Sequence, residues 1–312
     1  MRTRFRFAPG LICLSLCAGC SVELDRFSHR DASLGDSAGP DADRDSSSDG
    51  DTGAGVPGVW ASVKAGTFLM GSPTGEPCRS SDETQHSVTL TRGFAIMTTE
   101  VTQRQYHDVT GQNPSRRKTC WDCPVNNVTW HQAAAYCNAL SKAAGKAQCY
   151  ACTGGSCTEV GAYAGKLYAC PGFRLPTEAE WEYAYRAGAT TAFHNGPISS
   201  CSSDSNLNAI GWYKENSSGA THPVGQKQPN AWGLHDMAGN VLEWINDRYG
   251  ASLGSGPVTD PTGAASGDNR VQRGGSYSFQ AGVARAAGRM STKTGDHYDD
   301  FGFRVVRTEG ET

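Results

Sequence analysis

Hydrophobic and polar residues alternate in two stretches near the start of the folded region, and both stretches predict β-structure. In WASVKAGTFLMGS (60–72) the alternation centres on Val63, Thr67 and Leu69. The stretch HSVTLTRGFAIMTTEVT (86–102) repeats this pattern. Alternation with a period of two residues is typical of a half-buried strand. We therefore expect one strand in each stretch.

Three later stretches have helical periodicity, and each begins with the same pattern of polar residues. A threonine is followed three residues later by Gln or Glu, which is the pattern of a capping box. The pairs are Thr102 with Gln105, Thr129 with Gln132, and Thr177 with Glu180. Gly145 and Gly188 lie where the second and third helices should end. Beyond Gly188 only short segments with Gly, Asn, Ser and Pro follow, so we expect an irregular, loop-rich α+β domain.

Composition narrows the classes of protein to which the chain can belong. Its 312 residues are enough for a sizeable core, and its 38 glycines favour a domain rich in loops. The 28 basic and 31 acidic residues nearly balance, which gives no indication of a nucleic-acid partner. The chain also contains no phosphate loop, dinucleotide fingerprint or GxSxG elbow.

The N-terminus, MRTRFRFAPGLICLSLCAGC (1–20), has the pattern of a secretion signal. Basic residues precede an apolar run that is too short to span a bilayer permanently. Its end, Leu16–Cys20, resembles a bacterial lipobox, which predicts a lipid on Cys20 and attachment to the membrane through that lipid alone. A plain cleavable signal is the alternative. Ser21, in place of Asp, is typical of lipoproteins sent to the outer membrane, so we expect a periplasmic or surface-facing protein.

Residues 21–56 are rich in Asp, Ser and Gly and contain few large apolar side chains. Such a segment cannot bury enough surface to fold, so we expect a disordered linker. We expect this linker to act as a tether between the membrane and a folded domain at 57–309, because a flexible polar segment is sufficient for that role.

Cysteine usage agrees with export. Nine cysteines lie beyond the signal: 78, 120, 123, 137, 149, 152, 157, 170 and 201. Two Cys-x-x-Cys pairs allow a zinc-ribbon interpretation, but an exported domain favours disulfides over thiolate ligands. Cys137 lies in the apolar helical run AAAYCNAL, so we expect it to be the odd, buried thiol.

Seven motifs follow one another in an order that is typical of a known family. They are GTFLMGS (66–72), FAIMTTEVTQRQY (94–106), PVNNVTWHQAAAYCNALS (124–141), FRLPTEAEWEYAYRAG (173–188), NAWGLHDMAGNVLEW (230–244), RGGSY (273–277) and FGFRVVR (301–307). Together they resemble the formylglycine-generating enzyme family, which carries the sulfatase-modifying-factor domain. The resemblance implies a single domain with an irregular fold, related to C-type lectins and often bound to calcium.

The acidic residues of RLPTEAEWEYA allow two interpretations. Glu178 and Glu182 could form an acid–base pair, but an acidic first turn that complements the helix dipole is the simpler interpretation. Trp181 and Tyr183 then have packing roles. We expect Arg174 to anchor the loop through a buried ion pair.

The resemblance also implies a calcium site in DMAGNVLE (236–243). The ligands would be the carboxylates of Asp236 and Glu243 and the main-chain carbonyls of Gly239 and Val241, because a hard cation needs several oxygen ligands at once. A hydrogen-bonded turn without metal is the alternative.

The family's second calcium site falls in NLNAIGWYKENSSG (206–219), where Asn208 and Asn216 are the candidate ligands. Asn216 stands where an aspartate is expected, which makes this site weaker than the first. A turn without metal is again the alternative.

The loop after RGGSY departs from the catalytic members of the family. In those enzymes two cysteines hold the copper ion that oxidises a substrate cysteine to formylglycine, and here their counterparts are Phe279 and Ala284. Only Ser276 and Tyr277 remain from this part of the pocket. A Cu(I) site requires soft thiolate ligands, so we expect neither copper binding nor formylglycine formation.

Three functions remain open at this point. The first is a non-catalytic envelope protein that binds a protein, peptide or glycan. The second is an enzyme with different chemistry, such as an oxidoreductase that modifies a protein or metabolite, although the eight histidines are scattered and form no HxxxH pair. The third is a scaffold held by disulfides, with no ligand.

Overall fold

The structure is a computed structural model that describes residues 56–309, with four α-helices, three short 3-10 helices and thirteen strands in that range. The signal, Cys20 and all but the last residue of the linker lie outside the described residues. The helices are α1 Gln103–Thr110, α2 Trp130–Ala143, α3 Glu178–Arg186 and α4 Ser205–Ile210. The strands are β1 Trp60–Val63, β2 Gly66–Met70, β3 His86–Leu90, β4 Phe94–Met97, β5 Tyr150–Thr153, β6 Ser156–Glu159, β7 Phe173–Arg174, β8 Leu242–Arg248, β9 Val258–Thr259, β10 Asn269–Arg273, β11 Met290–Lys293, β12 Phe301–Gly302 and β13 Val306–Thr308.

The strands form four small sheets in the described part of the chain. Their orders are β1-β4-β13-β7, β11-β10-β8-β12, β2-β3-β9 and β5-β6. Most neighbouring strands are antiparallel, but β12 runs parallel to β8 and β9 runs parallel to β3. Short strands, few helices and long connections confirm the expected irregular α+β class, and no helix within residues 56–309 is long and apolar enough to cross a membrane.

Each of the two stretches predicted as one strand contains two strands, so that part of the prediction was wrong. In the first stretch β1 ends at Val63 and β2 begins at Gly66. In the second stretch β3 and β4 are separated by the turn at residues 91–93. The chain changes sheets at each break, because β1 pairs with β4 while β2 pairs with β3.

All three capping boxes are present. In α3, for example, the Glu180 N–H donates to Thr177 Oγ1 at 3.2 Å, and the Thr177 N–H donates to Glu180 Oε2 at 2.8 Å. Gly145 follows α2 with a φ of +64°. At the end of α3, however, the C-cap residue is Ala187, with a φ of +44°, and Gly188 comes one residue later.

The acidic residues of α3 form ion pairs with arginines, and the expected buried ion pair of Arg174 is present. Glu182 lies beyond the first turn of α3, so the predicted interaction with the helix dipole does not apply to it. Glu180 makes a bidentate pair with Arg174, with both N–O distances at 2.7 Å and the arginine side chain fully buried. Glu182 is bonded to Arg186 and Arg273. Burial alone would raise the pKa of Glu182, but these two guanidinium groups outweigh burial and hold the pKa below its usual value.

Four disulfides cross-link the described residues. They are Cys78–Cys201, Cys120–Cys123, Cys149–Cys170 and Cys152–Cys157. Cys137 is the remaining cysteine of this range, and it is free and fully buried in α2. The preference for disulfides over zinc and the choice of Cys137 as the odd thiol are therefore confirmed.

Candidate functional site

The loop at 276–284 follows a tight turn, and its last residue packs back against that turn. Gly274 and Gly275 both have positive φ angles, and a Cβ on Gly275 would lie only 3.0–3.1 Å from Ala284. Ala284 is 1% exposed, and its carbonyl accepts a hydrogen bond from the Tyr185 hydroxyl at 2.9 Å. The second of the two copper-cysteine positions is thus occupied by a methyl group that packs against the turn.

Phe279 stands at the other copper-cysteine position and lines an open cavity of about 430 Å³. The same cavity is lined by the Cys78–Cys201 disulfide, Val283 and Met290. The cysteines present in this wall are thus already oxidised to a disulfide. Aromatic, aliphatic and disulfide groups offer no pair of thiolates to a soft metal ion.

Ser276 lies just before Phe279 and is fully buried. Its hydroxyl donates to Asp300 Oδ2 at 2.8 Å, and the Ser278 hydroxyl donates to the same oxygen at 2.6 Å. No histidine among residues 56–309 is hydrogen-bonded to either serine, although a serine nucleophile requires an adjacent base. The three side chains instead fix the start of the loop.

Tyr277 is half-buried and lines a second, polar pocket of about 300 Å³. Asp299 lies in the same wall and forms an ion pair with Arg116 at 2.8 Å. Burial raises the pKa of Tyr277 to about 12, and the carboxylates of Asp299 and Asp300 add to the shift. At neutral pH the Tyr277 hydroxyl therefore keeps its proton and can donate a hydrogen bond.

The residues of the first predicted calcium site lie in the turn that leads into β8. Gly239 has a φ of +85°, and a Cβ there would lie 2.2 Å from the Trp212 carbonyl oxygen, so this position requires glycine. The Val241 N–H points to Glu100 Oε1 at 3.4 Å. The predicted turn is therefore present and tightly packed.

The two carboxylates of this site differ in their fit to a calcium ion. Asp236 fits, because it is 1% exposed and its Oδ1 atom has no hydrogen-bond partner among the described residues. Glu243 does not fit as it is placed, because both of its oxygens accept hydrogen bonds from Arg304 and one also accepts from Trp181 Nε1 at 2.8 Å. Calcium at this turn stays a prediction.

Glu100 is an acidic neighbour of the turn that the sequence analysis did not identify. It is fully buried, and burial raises its pKa well above the usual range. The negative charges of Asp236 and Glu243 raise it further. Burial also raises the pKa of Asp236. The Arg304 guanidinium faces all three carboxylates, and the Lys227 ammonium group also faces Asp236.

The residues of the second predicted calcium site are in contact with each other. Asn216 Nδ2 donates to Asn208 Oδ1 at 3.3 Å and to the Gly211 carbonyl at 3.0 Å. Asn216 Oδ1 accepts from the Tyr213 N–H at 2.8 Å. The Asn216 amide is thus committed to holding the turn, and Lys227 Nζ lies 2.8 Å from the Asn208 carbonyl oxygen. This arrangement does not fit a cation, and the second site also stays a prediction.

Clusters of ligating side chains would support an enzyme with different metal chemistry. Within residues 56–309, no group of three or more His, Cys, Asp or Glu side chains is arranged to hold a metal ion. His131, His222 and His235 instead each have one ring nitrogen bonded to a main-chain group.

Comparisons with known proteins agree with this fold. The model of the sulfatase-modifying factor enzyme 1-like domain matches residues 57–309. The chain is 30% identical over 254 residues to the chaperone protein LppX of Paenibacillus barcinonensis, with 73% of this chain and 85% of LppX covered. It is also 30% identical to the formylglycine-generating enzyme of Bos taurus, over 59% of this chain and 44% of that enzyme.

A solved structure shows the same architecture. Treponema denticola variable protein 1 superimposes with a TM-score of 0.69 and 32% sequence identity, over 80% of this chain and 95% of that protein. Because the family model covers nearly all of the described residues, the expected family is confirmed. The chain belongs to the formylglycine-generating enzyme family and carries its sulfatase-modifying-factor domain.

Proposed function

We propose that this protein is a non-catalytic binding module of the family, exported to the cell envelope and held at the outer membrane by a lipid on Cys20. One observation carries the proposal: the positions of the two copper cysteines hold Phe279 and Ala284. Neither side chain has an electron pair to give to copper, and Ala284 is packed against Gly275. The oxidation of a substrate cysteine therefore has no metal site from which to proceed.

Two further observations support binding over chemistry. Residues 276–284 correspond to the loop that carries catalysis in the family. Two open cavities lie beside this loop, one lined by Phe279 and the other by Tyr277. LppX, which the chain matches over most of the length of both proteins, is named a chaperone protein. A rigid, disulfide-linked scaffold with pre-formed cavities suits recognition of a partner, because little ordering is needed on binding.

The test uses the purified full chain, copper and a peptide that contains a sulfatase-type cysteine motif. We expect no aldehyde by mass spectrometry and no stoichiometric copper binding. A catalytic member of the family, assayed in parallel, serves as the positive control. Formation of the aldehyde by the unmodified protein would overturn the proposal.

A double variant, Phe279→Cys with Ala284→Cys, separates loss of ligands from loss of the whole site. We expect it to bind Cu(I), because two thiolates return. We expect no aldehyde, because Leu242 and Val283 stand at two positions where the resemblance to the family implies aromatic residues of the catalytic pocket. Tight copper binding by the unmodified protein would count against the proposal as strongly as aldehyde formation.

A further inference from the structure

A third cavity lies between β3, the start of α3, the end of β8 and the connection at residues 250–264. It encloses about 260 Å³, and its wall includes Met70, His86, Glu178, Asp247, Leu253 and Val258. We call it the Asp247 cavity. The cavities beside Phe279 and Tyr277 have neither Asp247 nor His86 in their walls, so this one is a separate feature of the domain.

Asp247 has a carboxylate oxygen without a partner. The residue is 2% exposed, and its Oδ1 atom has no hydrogen-bond partner among residues 56–309. Burial raises the pKa of Asp247 well above its usual range, and the negative charge of Glu178 raises it further. A buried carboxyl group is costly unless it is paired. An unpaired oxygen in the wall of a cavity therefore indicates a missing donor.

The carboxyl group of Asp247 is held in place by its neighbours. A Cβ at Gly263 would lie 2.6 Å from Asp247 Cβ, so the connection at 250–264 packs directly against this side chain. The Glu178 N–H, at the first residue of α3, donates to the same carboxyl group. Because Oδ1 has no partner, this bond occupies the other oxygen and leaves Oδ1 for a ligand.

Three arginines lie around the cavity, and none forms an ion pair with Asp247 in the described part of the chain. Arg289 makes a bidentate pair with Glu178, at 2.6 and 2.9 Å. The charge of Arg270 lowers the pKa of Asp247, but Arg270 itself pairs with Glu159 at 3.6 Å. Arg248 is half-buried in the wall. The donor that Asp247 lacks must therefore come from outside the domain.

His86 adds a second acceptor to the wall. It is 5% exposed, and its Nδ1 atom lies 3.0 Å from the Thr84 carbonyl oxygen. A carbonyl oxygen only accepts, so Nδ1 carries the proton and the neutral ring has Nε2 as an acceptor. Asp247 and His86 are too few ligands for a metal ion, and no cluster of three ligating side chains occurs within 56–309. A ligand with several N–H donors satisfies both acceptors.

The rest of the wall is largely apolar and is formed before any ligand arrives. Met70 is 2% exposed, and Leu253 and Val258 pack against the main hydrophobic core. Val258 belongs to β9, which pairs with β3 at Val88. A fixed apolar wall with one buried carboxylate suits an alkyl chain that carries a cationic group, because the chain buries its carbons while the charge finds its partner.

We propose that the Asp247 cavity binds a primary ammonium group on an unbranched alkyl chain, as in the side chain of lysine. The ammonium group donates to Asp247 Oδ1 and has His86 Nε2 as a second acceptor, while the alkyl carbons pack on the apolar wall. A guanidinium fits less well, because it pairs best with both oxygens of a carboxylate and the Glu178 N–H already takes one. The proposal rests on the proposed binding function and names the chemistry of the ligand.

Titration calorimetry on the purified full chain tests the assignment. The charged probes are pentylamine and Nα-acetyl-lysine N-methylamide, and the neutral probes are pentanol and Nα-acetyl-norleucine N-methylamide. We expect saturable binding of the charged probes alone, because the neutral ones keep the alkyl chain but lack the ammonium group. Binding of both amines supports a lysine side chain as the natural ligand, and binding of pentylamine alone supports a free amine in the same site.

Two variants of the cavity wall should have opposite effects. Asp247→Asn should weaken amine binding by at least about tenfold, because a charge-assisted hydrogen bond is lost. Arg248→Gln should strengthen it, because a like charge leaves the wall. An anionic ligand would respond in the reverse sense. The matched control is Asp268→Asn, at an exposed position outside the wall, which should leave the affinity unchanged.

A further variant keeps the test valid if Asp247→Asn does not fold. Ala264→Leu narrows the cavity from the connection at 250–264 without changing the carboxylate, and it should also abolish binding. Equal affinity for the neutral probes would show that only the apolar wall contributes, and it would overturn the proposal. A lack of binding by both amines, or equal weakening by Asp268→Asn, would overturn it as well. None of these failures produces an aldehyde, so they remain distinct from failure of the non-catalytic proposal.

Discussion

Arg304 holds both carboxylate oxygens of Glu243, with N–O distances of 2.7–2.9 Å, and both side chains are at most 1% exposed. Trp181 Nε1 donates to the same carboxylate. The contact ties the FGFR segment near the C-terminus to the GN-x-x-EW turn and to α3. Two of the motifs by which the family is identified are therefore parts of one buried ionic contact.

We expect Arg304→Leu to lower the free energy of unfolding by about 3–5 kcal/mol, because it leaves Glu243 buried and uncompensated. Urea titration measures the loss. The matched control is Arg104→Leu, which breaks the exposed pair between Arg104 and Asp122 and should cost no more than about 1 kcal/mol. Similar losses in the two variants would contradict the importance assigned to the buried pair.

Calcium should raise the unfolding midpoint if it binds at the DMAGNVLE turn. A ligand of the native state alone stabilises by RT ln(1 + [L]/Kd), about 2.7 kcal/mol at a hundredfold excess over Kd. Asp236→Asn should abolish the shift, because Asp236 Oδ1 is the free acceptor of the site. Asn208→Ala tests the second site separately. Identical melting curves in calcium and in chelator would refute both sites.

The raised pKa of Glu100 predicts that the free energy of unfolding falls as the pH rises. Its folded pKa lies above the unfolded value of about 4.3, so its contribution to stability is complete below that value and is lost as the pH rises through the folded pKa. Glu100→Gln should therefore gain stability over the unmodified protein as the pH is raised from about 5 to about 8.

The control for Glu100→Gln is Glu215→Gln, at an exposed position. Unfolding curves of all three proteins across this pH range separate the buried group from a general charge effect. A difference between Glu100→Gln and the unmodified protein that stays constant with pH would contradict the raised pKa.

Lipid attachment should depend on one cysteine of the signal. Cells grown with a labelled lipid precursor should label the unmodified protein, and Cys20→Ser should lose both the label and its place in the membrane fraction. Cys17→Ser is the matched control and should keep both. Full labelling of Cys20→Ser would mean that the lipid is attached elsewhere, whereas an unlabelled unmodified protein would favour a plain cleavable signal.

The caps of the helices could be predicted because they depend on neighbours along the chain. Thr177 and Glu180 satisfy each other's backbone groups within one turn, so the sequence alone contains the interaction. The strand boundaries depend on partners elsewhere. β4 pairs with β1 on one side and with β13, near the C-terminus, on the other, and no local pattern shows where the chain leaves one sheet for the next.

The site was predictable only where the information lies in the side chains themselves. The substitutions Phe279 and Ala284 are visible in the sequence, and their chemistry follows from the side chains themselves. Neither the closeness of Glu100 to Asp236 nor the bidentate contact of Arg304 with Glu243 could be foreseen, because the fold brings these residues together. Pairing of the disulfides was equally hidden, since eight cysteines allow about 105 pairings and Cys78 lies 123 residues from Cys201.

The buried thiol of Cys137 can serve as a built-in probe of unfolding of the domain. Burial raises the pKa of its thiol, which keeps it protonated and out of exchange with the four disulfides. An alkylating reagent can reach this atom only when α2 separates from α1 and from strands β5, β6 and β7, against which it packs. The rate of alkylation at Cys137 therefore measures how often the native protein unfolds, with no probe added to the chain.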